Sequence, residues 1–169
     1  MSARPTQRML MPLLERLLDE TPAAEQRSQR DQGFGHDAEI DLVRDAVCRD
    51  IEAMLNARRP WHRAPPELDQ LPQSPYGYGL PDFTAGALAD PDRREALRRE
   101  IEATLRRMEP RLAQIQVSQL DEGDQRRATL RFRIEAVLRV EAAAEPVTFD
   151  TTVDTASAVV AVRTGTARG

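Results

Sequence analysis

The sequence predicts a small α+β domain, in which helices cover one face of a small antiparallel sheet of three to four strands in the C-terminal third. Two observations predict this class. Apolar residues recur at helical spacing in segments before residue 110, and they alternate with polar residues in segments after it. The 169 residues suit one such domain with a detached arm and are few for two full domains.

The first predicted element is an amphipathic helix in an N-terminal helical arm, residues 1–22. Its apolar face consists of leucines at helical spacing, namely Leu10, Leu13, Leu14, Leu17 and Leu18. A proline at position 22 ends it. Residues 23–36 are mostly polar, so we expect a linker there that lets the arm dock away from the main domain, residues 37–163.

Two longer helices are predicted in the main domain. The first begins at Asp37 as its N-cap and ends before Pro60, and the second begins with Asp90-Pro91 and ends before Pro110. Their buried stripes are Ile40, Val43, Val47, Ile51, Met54 and Leu55 in the first, and Leu97, Ile101, Leu105 and Met108 in the second. Several prolines between the two helices exclude a further long helix or a central strand there.

Alternation of apolar and polar residues predicts the strands. They are residues 112–120, 128–140, 147–153 and a short 158–162. The second of these has the clearest alternation, and residues 121–124 have the composition of a turn before it. We expect residues 164–169 to be a disordered tail.

Composition and charge exclude several classes of function. All 24 basic residues are arginines, set against 28 acidic residues, which gives a net charge of −4 and no basic block, so no nucleic-acid partner is expected. The single cysteine, Cys48, excludes an internal disulfide and fits a reducing compartment. Because no apolar run approaches the roughly 20 residues of a membrane span, and no signal peptide is recognisable, we expect a cytoplasmic protein without direct membrane insertion.

No residues have the spacing of a metal, cofactor or catalytic site. His36 and His62 lie far apart in sequence, and neither is spaced as a ligand with Cys48 or with a carboxylate cluster. Most carboxylates are expected to pair with the abundant arginines. Two acids at the spacing of a glycosidase pair would therefore be weak evidence of a glycosidase site. We therefore expect no metal, no cofactor and no catalytic residue.

One candidate partner-binding segment is a loop stiffened by glycine and proline, Tyr78-Gly79-Leu80-Pro81-Asp82-Phe83. It is either a preorganised docking loop, which loses little entropy on binding, or a plug in which Leu80 and Phe83 fill the bottom of the sheet.

A second candidate segment is the junction of the second helix with the first strand, Glu109-Pro110-Arg111-Leu112. Pro110 fixes a sharp exit from the helix. Glu109 and Arg111 either form a local ion pair that shapes the turn, or Arg111 binds a partner's carboxylate or backbone carbonyls bidentately.

Four segments occur in the order and at the spacing of one known family. They are Leu13-Leu14-Glu15-Arg16-Leu17, Met54-Leu55-Asn56-Ala57-Arg58-Arg59, Tyr78-Gly79-Leu80-Pro81-Asp82-Phe83 and Glu109-Pro110-Arg111-Leu112. With them the chain resembles the TssE family of baseplate subunits of the bacterial type VI secretion system, and through it the wedge proteins of contractile phage tails. Ala57 stands where the family usually has threonine, so that hydroxyl and any hydrogen bond it makes are absent.

The resemblance implies a structural role rather than a catalytic one. Such proteins form part of the baseplate wedge with TssF and TssG, close to TssK and the spike protein, at the inner face of the inner membrane. They also offer a platform on which the TssB/TssC sheath begins to polymerise. The resemblance makes residues 109–112 the expected contact with the wedge. We also expect the loop 78–83 and Leu13, Leu14, Arg16 and Leu17 to bind partners.

The C-terminal strand suggests how the sheath joins. Residues 156–162 favour a strand and carry no charge, whereas proteins usually blunt a free sheet edge with charge or proline. We therefore expect this edge, with Val159 and Val160, to accept a strand of the first sheath ring by β-augmentation.

Two alternatives to a structural baseplate component remain open. The family long carried a lysozyme-like label, which would make the chain a peptidoglycan-cleaving, muramidase-like glycosidase with Glu109 as its candidate acid. The other alternative is a generic adaptor whose leucine helix lies in a partner's groove.

Overall fold

The computed structural model of the chain describes residues 36–60, 65, 67–68, 70–83, 90–120, 129–140 and 143–165. The predicted N-terminal arm and nearly all of the predicted linker lie outside the described residues. The chain divides into two compact units, Met1–Val47 and Cys48–Gly169. In the first unit the described residues form part of a helix and include the buried side chains Ile40, Ala46 and Val47.

Helix α1 spans His36–Asn56. It includes Asp37, so the prediction that Asp37 caps the helix from outside is wrong. It ends before Pro60, as predicted. In the second unit its buried stripe is Ile51, Met54 and Leu55, which are almost fully inaccessible to solvent.

Helix α2 spans Pro91–Met108 and begins as predicted. The Asp90 side chain accepts a hydrogen bond from the Asp92 backbone N–H at 3.0 Å, and proline occupies the first turn, where its missing N–H costs nothing. Leu97, Ile101 and Leu105 are buried. Within the described residues, neither α1 nor α2 is long and apolar enough to cross a membrane.

Four antiparallel strands follow in the spatial order β1-β2-β3-β4. They are β1 (Leu112–Gln119), β2 (Thr129–Val140), β3 (Ala143–Asp154) and β4 (Val160–Thr164). The predicted α+β class, with a C-terminal antiparallel sheet, is confirmed. The sheet continues past the domain boundary expected at residue 163, because the Gly165 N–H still donates to the Thr148 carbonyl at 2.8 Å.

One face of the sheet is buried and forms the core of the second unit with the helix stripes. Its central side chains are Phe132, Ile134, Leu138, Phe149, Val153 and Val160, each at most 2% exposed. The opposite face carries mostly polar residues, among them Arg133, which pairs with Asp150 across the strands at 2.9 Å. This alternation follows from the period-two pattern of the sequence.

Strand β1 contains an irregularity that the sequence pattern does not reveal. Its register with β2 shifts between Ala113 and Gln116, and Gln114 has a positive φ of 51°. A bulge of this kind bends an edge strand and redirects its backbone groups. Beyond it, Val117 presents its N–H and C=O to α2.

Candidate functional site

Residues 109–112, the α2–β1 corner, link the end of α2 to the first strand. Glu109 ends the helix, and its backbone N–H donates to the Leu105 carbonyl at 2.9 Å. Pro110 is exposed, whereas Leu112 is 6% exposed and begins β1. Proline after the helix end prevents its continuation, so the chain turns sharply here.

The Arg111 guanidinium connects the corner to helix α1. Its Nε donates to Glu109 Oε1 at 2.7 Å, and its Nη2 donates to Glu109 Oε2 at 2.6 Å and to Asp50 Oδ2 at 2.5 Å. The Glu109 side chain is only 4% exposed, while that of Asp50 is 44% exposed. The arrangement is a bidentate carboxylate–guanidinium pair with a second carboxylate at the surface.

The isolated chain shows the local ion pair that one of the two sequence interpretations of Arg111 expects. Contact of Arg111 with a partner stays a prediction. The guanidinium is held by carboxylates of its own chain and shapes the turn, as the local ion-pair interpretation expects. The hydrogen bonds that Arg111 donates to Glu109, and secondly to Asp50, raise the pKa of Arg111, so its positive charge is retained. Asp50 was not predicted as a member of this site.

Tyr78 lies beside the two carboxylates, and its side chain is 39% exposed. Burial raises the pKa of the Tyr78 hydroxyl, and the negative charges of Asp50 and Glu109 raise it further. The hydroxyl thus stays protonated at neutral pH. It can donate a hydrogen bond to a partner at this surface.

The loop after Tyr78 is fixed to the segment that follows α1. The Leu80 N–H donates to the Ala57 carbonyl at 3.0 Å, and the Arg59 N–H donates to the Leu80 carbonyl at 2.9 Å. Gly79 has a φ of +92°, and a Cβ there would lie 2.4 Å from the Ala57 carbonyl oxygen. Glycine is therefore required for this close approach.

Arg58 connects the far end of the loop to the β3–β4 turn. Its guanidinium carbon lies 5.0 Å from the centroid of the Phe83 ring, a distance typical of a cation–π contact. Its Nη2 donates to the Ala158 carbonyl at 2.6 Å. Val159, the next residue of that turn, is 56% exposed.

The structure divides the predicted partner-binding residues into surface and core. Exposed members are Tyr78, Asp82, Pro110 and Val159; half-buried members are Pro81, Phe83 and Arg111; buried members are Gly79, Leu80, Glu109, Leu112 and Val160. The side chains of Leu80 and Leu112 are buried in the isolated chain, which agrees with the interpretation of Leu80 as a plug. Val160 is also buried, and the prediction for it concerns the backbone edge of its strand. Leu13, Leu14, Arg16 and Leu17 lie outside the described residues.

The outer edge of β4 is occupied by side chains of α1. Asn56 Nδ2 donates to the Val160 carbonyl at 2.8 Å, and Asn56 Oδ1 accepts from the Val160 N–H at 2.9 Å. Glu52 Oε2 accepts from the Val162 N–H at 2.8 Å. The expectation that nothing blunts this edge is therefore wrong: the blunting groups come from the helix, not from the strand's own sequence.

The opposite edge, β1, is covered in the same manner by α2. Arg98 Nη1 donates to the Val117 carbonyl at 2.9 Å, and Glu102 Oε2 accepts from the Val117 N–H at 3.3 Å. Arg106 Nη2 donates to the Ile115 carbonyl at 2.8 Å. An open groove of about 690 Å³ borders these residues. Their polar atoms already bond to one another and to β1.

The chemistry of the described residues offers little to a catalytic interpretation. Glu109, the candidate acid of the glycosidase alternative, is buried and accepts two hydrogen bonds from the Arg111 side chain. An acid that donates a proton to a leaving group needs an unpaired, protonated form. In the part of the chain that the structure describes, no group of three or more His, Cys, Asp or Glu residues could hold a metal ion.

Sequence reasoning missed two residues that complete these contacts, Asp50 and Asn56. Asp50 lies off the apolar stripe of α1, like any solvated helix residue, and it meets Arg111 across 61 positions. Asn56 reaches Val160 across 104 positions. For Asn56 one sequence signal was available. It belongs to the second family segment, and it is the only asparagine of the sequence.

The comparisons with known proteins give one family match. The family model described as baseplate wedge protein gp25 matches residues 41–143, more than half of the chain, and includes three of the four segments that carried the resemblance. No curated protein and no solved structure matches the chain. TssE is a member of the same family, so the resemblance is confirmed at family level. The chain belongs to the baseplate wedge protein gp25 family.

Proposed function

We propose that this chain is a structural subunit of the type VI secretion baseplate, and that it acts without catalysis. In this proposal it binds the TssF and TssG wedge subunits, lies close to TssK and the spike protein, and initiates growth of the TssB/TssC sheath at the inner face of the inner membrane. Family membership supports a baseplate role. The segments that resemble TssE support the more specific assignment.

The observation that carries the proposal is the Arg111 ion-pair cluster at the α2–β1 corner. Arg111 joins the buried Glu109 to the half-exposed Asp50 and so fixes the corner against α1. Pro110, the residue before Arg111, is exposed, and so is Tyr78, on which both carboxylates act electrostatically. A surface that is already ordered loses little conformational entropy on binding, which suits a permanent assembly contact.

Sheath initiation follows a modified route in this proposal. β4 remains the C-terminal edge strand, but its Val160 and Val162 backbone groups are bonded to Asn56 and Glu52. A sheath strand that adds here by β-augmentation displaces those two side chains. Val159, which is exposed and immediately precedes β4, is the first apolar side chain that such a strand meets.

Co-purification of the full chain with TssF and TssG tests the proposal. We expect the wild type to be recovered with the wedge and Arg111→Ala to weaken that binding roughly tenfold or more, because one charge-assisted contact is worth about 1.5–3 kcal/mol. The matched control is Arg133→Ala, which removes another half-buried arginine paired with an aspartate, at a distant place on the sheet.

Three outcomes are distinguished. Absence of wild-type binding refutes the baseplate assignment. Undiminished binding by Arg111→Ala, with a lowered melting temperature, shows that the cluster only shapes the turn and refutes the assigned contact. Equal loss in both variants indicates general destabilisation and likewise removes support for the corner.

A further inference from the structure

A second group of charged side chains contacts the loop at Gly77, the residue before Tyr78. Arg107, in the last turn of α2, is half-buried, and its Nη2 donates to the Gly77 carbonyl at 3.2 Å. Its Nε is buried and has no hydrogen-bond partner. A buried donor without a partner is costly, so this guanidinium is incompletely satisfied in the isolated chain.

The carboxylate of Glu100, which acts electrostatically on Arg107, is already paired with another arginine. Glu100 Oε1 accepts from Arg59 Nη2 at 2.7 Å and lies 3.5 Å from the Thr104 hydroxyl. Among the residues that the structure describes, no ion pair reaches Arg107. The positive charge of Arg107 is therefore left without a paired carboxylate in this part of the chain.

The electrostatic environment agrees with this geometry. Burial lowers the pKa of Arg107, and the positive charge of Arg59 lowers it further, while Glu100 opposes the change. The pKa of Arg111, which has two carboxylates, moves in the opposite direction. Carboxylates that pair with Arg111 offset the cost of burying its charge, and Arg107 has no such pair.

The two clusters have opposite excess charge and act on adjacent residues of one short segment. Asp50 and Glu109 share Arg111, which leaves one excess negative charge, and both carboxylates act electrostatically on Tyr78. The preceding residue, Gly77, accepts a hydrogen bond from Arg107 in the positively charged cluster. A contact surface with this polarity favours a partner of complementary pattern and fixes its orientation.

We propose that Arg107 is a binding residue for an acidic side chain of the neighbouring baseplate subunit, and that this contact extends the one at the α2–β1 corner. The inference rests on the proposed function. A planar guanidinium binds a carboxylate through hydrogen bonds, and the part of this half-buried side chain that a partner's Asp or Glu meets is its Nη end rather than the buried Nε. Glu100 pairs with Arg59, which leaves Arg107 available.

Arg107→Met tests the inference, since methionine keeps much of the aliphatic packing and removes the charge. We expect the affinity for a purified TssF–TssG complex to weaken roughly tenfold or more, because one charge-assisted hydrogen bond is lost. We expect the melting temperature to be unchanged or raised, because an incompletely satisfied cation has been removed. The matched control is Arg99→Met, which changes an exposed arginine of the same helix and should leave both quantities unaltered.

The dependence of binding affinity on salt concentration distinguishes a binding residue from a purely structural one. The affinity of the wild type should fall with rising salt concentration, and the fall should be shallower for Arg107→Met, since one charge pair is missing. Equal affinity of wild type and Arg107→Met overturns the inference and leaves the proposed function intact. A parallel loss of affinity and melting temperature also overturns it, because Arg107 would then only support the loop through Gly77. If the wild type itself does not bind, both the proposed function and the inference fail.

Discussion

The substitution Asn56→Ala measures how strongly the end of α1 holds the C-terminal strand. Asn56 makes two hydrogen bonds to Val160 and one to the Glu52 carbonyl at 2.9 Å. The two long-range bonds are worth about 1 kcal/mol each, so their loss costs about 2 kcal/mol, and the better helix propensity of alanine returns a few tenths. The cost rises towards about 4 kcal/mol if the Val160 backbone groups, which belong to a residue 2% exposed, find no water.

Urea denaturation of the purified chain is the appropriate assay. With a typical slope of about 2 kcal/mol per molar urea, a loss of about 2 kcal/mol lowers the transition midpoint by about 1 M. The control is Arg163→Ala, an exposed position on the same strand, for which we expect no appreciable change. Because the substitution also frees an edge strand, size-exclusion chromatography at rising concentration should show self-association of Asn56→Ala alone.

Two results would refute this reasoning. An unchanged midpoint in Asn56→Ala would mean that the side chain contributes nothing to holding β4. An equal decrease in Arg163→Ala would mean that the strand responds to any substitution and that the edge contacts have no special weight.

Two further substitutions test the core and the loop. Thr151 is 1% exposed, and its hydroxyl has no hydrogen-bond partner. Thr151→Val should therefore raise the free energy of unfolding, measured by urea denaturation, by about 1 kcal/mol. A decrease would mean that the hydroxyl is satisfied. Gly79→Ala should lower the free energy of unfolding by about 2–3 kcal/mol, because alanine is strained at φ +92° and its Cβ meets the Ala57 carbonyl. The same denaturation measurement checks it against Gly165→Ala, where no positive φ is required, and equal effects would contradict the argument.

The helices and strands could be predicted because their signals are local. The Asp90-Pro91 start and the alternation through β2 depend on neighbouring residues, and the structure reproduces both. β3 was predicted from residue 147 but begins at Ala143, since pairing with the long β2 extends it through Pro146, where the sequence shows no alternation. Tertiary pairing determined this boundary.

The candidate site was predictable only where its partners are close in sequence. The pair of Glu109 and Arg111 could be inferred from two positions of separation, whereas Asp50 could not. The loop 78–83 admitted two interpretations, and each describes part of it: Leu80 is core, while Tyr78 is surface. Sequence alternation shows which face of a strand is buried, but it does not show what lies beside the strand edge.

The hydrogen bonds between α1 and β4 change the thermodynamics of adding a strand to this sheet. The backbone groups of Val160 and Val162 already make hydrogen bonds to α1 side chains. An added strand therefore exchanges one set of hydrogen bonds for another, and its main chain contributes little binding free energy. The net free energy must then come from its side chains. Every peptide has the backbone that β-augmentation requires, but a segment whose side chains fit poorly binds only weakly here. The side chains of α1 thus make strand addition at β4 selective for the sequence of the added strand.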